Sequence, residues 1–160
     1  MGSETSQRRS NRRRFLILSC SARKHAVTGK VAAWDLYDGM AFRVVKRLER
    51  EGQFPDDVDI LILSAQHGLI RPHHKISFYD LRMTKELASQ QAARNRSILR
   101  AALCDNKHRE VFVMAGKKYL AALVPITTWL PMGVTLTMAE GGIGRKLQRL
   151  KAWLLEKARC

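Results

Sequence analysis

The sequence predicts an α/β protein, a three-layer α/β/α sandwich around a mostly parallel four-stranded sheet. Three observations carry that prediction. Four short apolar segments rich in β-branched residues run without interruption, as strands covered on both faces do. Helical patterns fill the intervals between them, and strand-helix alternation is the mark of parallel sheets. Polar, titratable clusters follow each apolar segment directly, where open α/β sheets bind ligands beyond the carboxyl ends of their strands.

In chain order, residues 1–14 (MGSETSQRRSNRRR) hold five arginines against one glutamate and offer no apolar run. They read as a disordered basic tail, either one that grips phosphates without regard to sequence and loosens with salt or a merely solvated charge run. The first strand is expected at 15–20 (FLILSC), and the loop SCSARKHAVTGK continues from it. Ser19, Cys20 and Ser21 beside Arg23 and Lys24 suit a phosphate or a sugar oxygen. The glycine pattern of a P-loop is missing, and Cys20 reads equally well as a small core residue. A helix is expected over 32–52, with Asp35, Tyr37 and Asp38 near its start. Asp35 lies between Trp34 and Leu36, whose bulk would exclude water and raise its pKa toward that of a general base. An aspartate there also simply favours a helix start, and both readings stay open.

The second strand is expected at 58–63 (VDILIL), followed by SAQHGLIRPHH. Gln66 and His67 follow the strand at once, Gly68 permits a tight turn, and Tyr79 and Asp80 come after Pro72. A neutral imidazole at His67 would position water or polarise a leaving group. His73 and His74 lack a partnering ligand set, so no metal site is expected. Asp35 and Asp80, from separate loops, are expected to face one another. A helix follows at 84–104, a strand at 110–114 (EVFVM), and then Lys117, Lys118 and Tyr119 as a basic and stacking element opening a short helix, 117–124. The last strand is expected at 133–138. After it, Gly142 and Gly144 lead into a helix over 143–157 whose early Arg145 and Lys146 form a phosphate-binding corner. Ile143, Leu147, Leu150 and Leu154 would form its inner face.

With 160 residues and 46% hydrophobic content, residues 15–160 suit one domain with a real core. A formal charge of +15 and a pI near 10.5 point to a polyanionic partner. The last eighteen residues add six Lys/Arg against Glu156 alone. MGSETS fits a myristoylation pattern and RRSNRRRFLILSC superficially a twin-arginine signal, but the run 15–18 is too short for a signal core and Arg23 and Lys24 soon follow. No segment reaches the length of a membrane span. Three scattered cysteines suit a reducing compartment and supply no zinc framework, so a cytoplasmic protein with no metal is expected.

The pairing of LSCSARK with LILSAQHGLIRP and then YD resembles the YaaA-like proteins of the peroxide-stress group. CSARK is also similar to the uracil-DNA-glycosylase-like domain of archaeosine synthases. The resemblance covers about 15–150 and implies an α/β/α fold related to uracil-DNA glycosylases, DNA binding, and excision of modified bases, as in small phage-defence glycosylases that remove bulky modified cytosines. It implies a pocket lined by Ser21 and Lys24, Asp35 and Tyr37, His67 and Gly68, Tyr79 and Asp80. Neither the Gly-Gln-Asp-Pro-Tyr nor the His-Pro-Ser motif of uracil enzymes is present, so catalytic roles do not transfer with the fold.

The expected function is therefore a monofunctional DNA N-glycosylase, monomeric and free of cofactors, acting on a modified base such as glucosylated hydroxymethylcytosine in double-stranded DNA. Asp35 or Asp80 would orient the attacking water and His67 would bond the departing base. Ser19, Cys20, Ser21, Lys24, Tyr37, Gln66, Gly68 and Tyr79 would hold the substrate. Arg23, Lys117, Lys118, Gly142, Gly144, Arg145 and Lys146 would hold the DNA. A lyase route through Lys24, an N-glycosidase of free nucleotides, and a non-enzymatic DNA-binding stress protein are the rival readings.

Overall fold

A computed structural model describes residues 12–104, 106–123 and 126–156. Its core is a five-stranded mixed sheet in the order β4-β3-β1-β6-β7. β1 (Arg13–Ser19) lies in the centre, parallel to both β3 (Val58–Ser64) and β6 (His108–Met114), and β7 (Thr135–Met138) continues the parallel run at one edge. These are the four strands expected from the apolar runs. Phe15 to Leu18 are buried on both sides of the sheet, which is why that segment is apolar without alternation.

The fifth strand, β4 (Gly68–Ile70), turns back antiparallel along β3 and makes the other edge. The turn depends on Gly68, which sits at φ +71°, and a Cβ there would lie 2.6 Å from Asn95 Oδ1. Asn95 is fully buried and fastens this edge: its carbonyl oxygen accepts from the Leu69 N–H at 2.9 Å and its amide donates to the Ala122 carbonyl at 3.1 Å. A small second sheet pairs β2 (Lys30–Ala32) with β5 (Lys75–Ser77). It ties the loop after β1 to the loop after β4.

The helix expected over 32–52 is two helices, α1 (Ala33–Leu36) and α2 (Met40–Arg50). Tyr37 leaves helical geometry, bridges to Lys24 and turns its ring into the core, where it is fully buried. Gly39 caps α2 where the chain passes so close to Ser21 that a Cβ would lie 2.4 Å from the serine Cβ. α3 (Lys85–Leu103) starts at Thr84, whose hydroxyl accepts from the Leu87 N–H. α4 (Lys117–Leu120) runs into a 3-10 turn, Ala121–Leu123, and α5 (Ile126–Trp129) follows. α6 (Ile143–Leu155) packs against α2, while α3 packs against the 3-10 turn and β4. Leu150, Trp153 and Leu154 form the inner face of α6 with Leu147 half-buried; Ile143, expected inside, is exposed in its first turn.

The basic tail expected over 1–14 ends earlier than that. Residues 1–11 lie outside the described chain, but Arg13 and Arg14 belong to β1. Arg14 is 3% exposed: it grips Asp57 with two hydrogen bonds, donates to the Trp153 carbonyl at 2.7 Å, and lays its guanidinium over the Trp153 ring. Arg13 pairs with Asp59, which also meets His108 Nε2 at 2.7 Å. Among the described residues no helix is long and apolar enough to cross a membrane, and no group of His, Cys, Asp and Glu is arranged to hold a metal.

Candidate functional site

The carboxyl ends of β1, β3 and β6 converge on a cluster of buried hydroxyls and one thiol. Ser64 closes β3, and its Oγ accepts from the backbone N–H groups of Gln66 at 3.2 Å and His67 at 3.1 Å. Both lone pairs are then used, which leaves the hydroxyl proton for Tyr79 Oη at 2.9 Å. Tyr79 in turn donates to Tyr37 Oη at 2.6 Å. Burial pushes the Tyr37 phenol up to about 12 and drives Tyr79 higher still, with Cys20 and Tyr37 adding to the effect. Both are neutral phenols at physiological pH, able to orient and donate but not to act as bases.

Beside this chain, Cys20 Sγ lies 3.1 Å from Tyr119 Oη and accepts from the Ala65 N–H at 3.4 Å. Burial, then the contact with Cys20, raises the Tyr119 phenol, opposed by a backbone hydrogen bond from Met83. Lys24 reaches across, its ammonium 4.7 Å above the centre of the Tyr79 ring. Above the cluster opens a cleft of about 420 Å³ lined by Cys20, Ser21, Ala22, Lys24, Asp80, Leu81, Arg82, Met83, Lys118 and Tyr119. Three of these are cations and Asp80 is the one carboxylate among them. A neighbouring concavity with Lys85 and Lys117 extends the positive rim along the start of α3.

Several expected site residues thus meet. Cys20, Ser21, Lys24, Asp80 and Lys118 line the cleft, with Tyr37 and Tyr79 as its buried support. Ser19 ends β1 one residue below it. Lys146 donates to the Ala115 carbonyl at the end of β6, which brings the start of α6, with Gly142, Gly144 and exposed Arg145, beside the same rim. Arg23 is exposed and paired with Asp38, which Arg43 holds well below the usual carboxylate range, at about 2.

Others do not meet. Asp35 and Asp80 do not face one another. Asp35 opens into a separate concavity of about 560 Å³ with Trp34, Glu49, Asp59, Ile60 and Arg71, at the edge of the sheet below β4. The reason is helical phase: α1 buries Ala33 and Leu36, so Asp35 points off that stripe and is exposed rather than shielded by Trp34 and Leu36. His67 is not in the cleft lining either. Its ring stands edge-on to Tyr79 and His74, with Nε2 buried and unpartnered among the described residues. Burial, then His74 and Arg94, holds its pKa below the ordinary imidazole value. Gln66 is exposed on the turn and Gly68 is a backbone device, so neither touches the cleft.

Two residues that the sequence reading missed stand out beside the cleft. Phe78 is 51% exposed and Leu81 38%, while Tyr79 between them is only 8% exposed and held by two hydroxyl bonds. The buried tyrosine anchors the loop and its apolar neighbours face outward. The motif FYDLRM, two large apolar residues flanking a Tyr-Asp pair in a polar loop, is the signal that was there to read.

No curated protein matches the chain. Among solved structures, the crystal structure of AF0587, a protein of unknown function, superposes with a TM-score of 0.50 at 13% identity. The match covers 92% of this chain and 46% of that one, so the chain spans about half the length of its structural relative, and the likeness is one of fold alone. A family model extends over nearly all of the described core, residues 15–152. The chain belongs to that family, the family of unknown function DUF6884.

Proposed function

We propose that this protein is a DNA N-glycosylase that takes a flipped, modified base into the cleft at the carboxyl ends of the strands, and that its fold is the three-layer kind related to uracil-DNA glycosylases. The observation that carries the reading is the cleft's composition: three cations around a single carboxylate, above buried hydroxyls, beside an anchored loop with two outward apolar side chains. Cations meet the phosphates that flank an extruded nucleotide. Its volume of about 420 Å³ lies in the range of small-molecule sites and leaves room for a substituted base. Leu81 and Phe78 are placed to fill or prop the gap left in the base stack.

In the proposed reaction, Asp80 orients a water toward the sugar C1′ and takes its proton as the oxygen bonds to carbon. The C1′–N bond breaks and its electron pair leaves with the base, which Lys24 or Lys118 receives with a hydrogen bond. Asp35 has no part in this, and neither does His67 as a direct contact. Glucosylated hydroxymethylcytosine is the substrate class that the resemblance suggests, and phage defence the setting.

The test is incubation with duplexes carrying cytosine, hydroxymethylcytosine, its glucosylated form or uracil, read by mass spectrometry for free base and by alkali cleavage for abasic sites. Release of a modified base, with no adduct trapped by borohydride, is expected. Release from mononucleotides alone would move the activity to free nucleotides. Tight DNA binding with no product on any duplex would overturn the glycosylase reading in favour of a binding protein.

A further inference from the structure

The pole of the sheet opposite the cleft carries a second cationic concavity. It holds about 370 Å³ and is lined by Arg12, Arg13, Arg14, Arg109, Glu110, Gly133 and Thr135, at the amino ends of β1, β6 and β7. Its charges are not equivalent. Arg14 is spent on Asp57 and the Trp153 carbonyl, Arg13 on Asp59, and Glu110 accepts from Trp153 Nε1 at 3.1 Å. Arg12 and Arg109 are exposed and make no hydrogen bond or ion pair among the described residues. Fixed, part-buried ion pairs thus form the floor, and two uncommitted guanidinium groups line its walls. Arg8 and Arg9 precede Arg12 closely in sequence.

We propose that this arginine concavity is a second nucleic-acid site, which holds the phosphates of a duplex segment other than the one engaged at the cleft. Guanidinium groups match phosphate oxygens in bidentate geometry, so two free arginines across a shallow depression suit a backbone better than a single small anion. The two poles are separated by the length of β1, seven residues or about 20 Å at ~3.3 Å per residue, and they face opposite ways. Duplex DNA has a persistence length of about 150 base pairs, so one short segment does not bend around the protein to reach both. The arginine site therefore serves a second segment, and the protein bridges DNA. The inference rests on the proposed binding of DNA at the cleft together with the arginine geometry, and does not require the cleft to be catalytic.

The experiment is co-capture of a fluorescent 16-base-pair duplex by a second, bead-bound duplex in the presence of the full chain, alongside its affinity for a single duplex. Wild type should co-capture, and Arg12→Ala/Arg109→Ala should lower co-capture at least tenfold while changing single-duplex affinity less than threefold. Base release by wild type and variant is followed in the same samples, so loss of bridging and lack of glycosylase activity are read separately. No co-capture by wild type, or wild-type co-capture by the double variant, would overturn the proposal. Equal losses of affinity and co-capture would also overturn it, by making the arginines part of one interface with the cleft. Tripolyphosphate that binds in an Arg12- and Arg109-dependent manner more tightly than duplex would assign the site to a soluble polyphosphate instead.

Discussion

Removing one oxygen, by Tyr79→Phe, tests the hydroxyl chain beneath the cleft. The ring keeps its place against Lys24 and His67, and only the bonds to Ser64 at 2.9 Å and Tyr37 at 2.6 Å are lost. Ser64 Oγ already accepts from Gln66 and His67, so its hydroxyl proton is the group that loses a partner, the Tyr79 oxygen. A buried hydroxyl left short of a partner costs about 1–3 kcal/mol, which sets the expected loss at about 2 kcal/mol. Tyr37→Phe should cost less, since it strands only the Tyr79 proton. The double variant should be less destabilised than the sum of the two, with a coupling on the order of 1 kcal/mol, because the shared bond can be lost only once. Urea denaturation at pH 7 with an unchanged slope is the assay. Additive losses, or a Tyr79→Phe midpoint equal to wild type, would refute the continuous chain and leave the three hydroxyls as independent neighbours.

Gly68→Ala should destabilise by about 3 kcal/mol: a left-handed backbone costs about 1–2 kcal/mol, and the new Cβ displaces Asn95 Oδ1 from the Leu69 N–H. Thermal denaturation checks it, and Asn95→Ala should produce a loss of similar size through the same bond. Acid should weaken the amino-end cluster. Asp59, hydrogen-bonded first by Arg13 and also by His108, is depressed to about 2. A carboxylate whose folded pKa is lowered contributes its stability fully above its unfolded value of about 3.9 and loses it as pH falls through about 2. Partial exposure and solvent screening keep the contribution to the order of 1 kcal/mol. The difference in melting temperature between wild type and Asp59→Asn should thus be flat from pH 7 to 5 and close between pH 4 and 2; a constant difference to pH 2 would show that Asp59 is not held by these partners.

The central strands could be read from the sequence because burial on both faces demands unbroken apolar runs, and FLILS, VDILILS and EVFVM satisfy it. The three-residue strands could not. β2 and β5 bury little beyond Ile76 and exist through pairing with each other, a contact between residues 45 apart that no local pattern announces. Tyr37 and Tyr79 were named through the family resemblance; that they sit buried beneath the cleft rather than in its lining depends on contacts between residues 42 apart, which no local pattern shows. Asp35 was misplaced because proximity along the chain does not reveal helical phase. Arg14 read as tail because a buried arginine depends on Asp57 and the Trp153 carbonyl, distant partners that composition does not show. Phe78 and Leu81 went unnoticed because loop residues are read for polarity, and here the exposure of apolar ones is the informative feature.

The most direct measurement is single-turnover base release from glucosylated-hydroxymethylcytosine duplex by wild type, Asp80→Asn and Asp35→Asn, with binding of the same duplex measured alongside. Asp80 lines the cationic cleft and Asp35 lies in a different concavity. Release should fall at least 100-fold in Asp80→Asn with affinity nearly unchanged, and stay within threefold of wild type in Asp35→Asn. Full release by Asp80→Asn, or selective loss in Asp35→Asn, would contradict the assignment of chemistry to the cleft at the carboxyl ends of the strands.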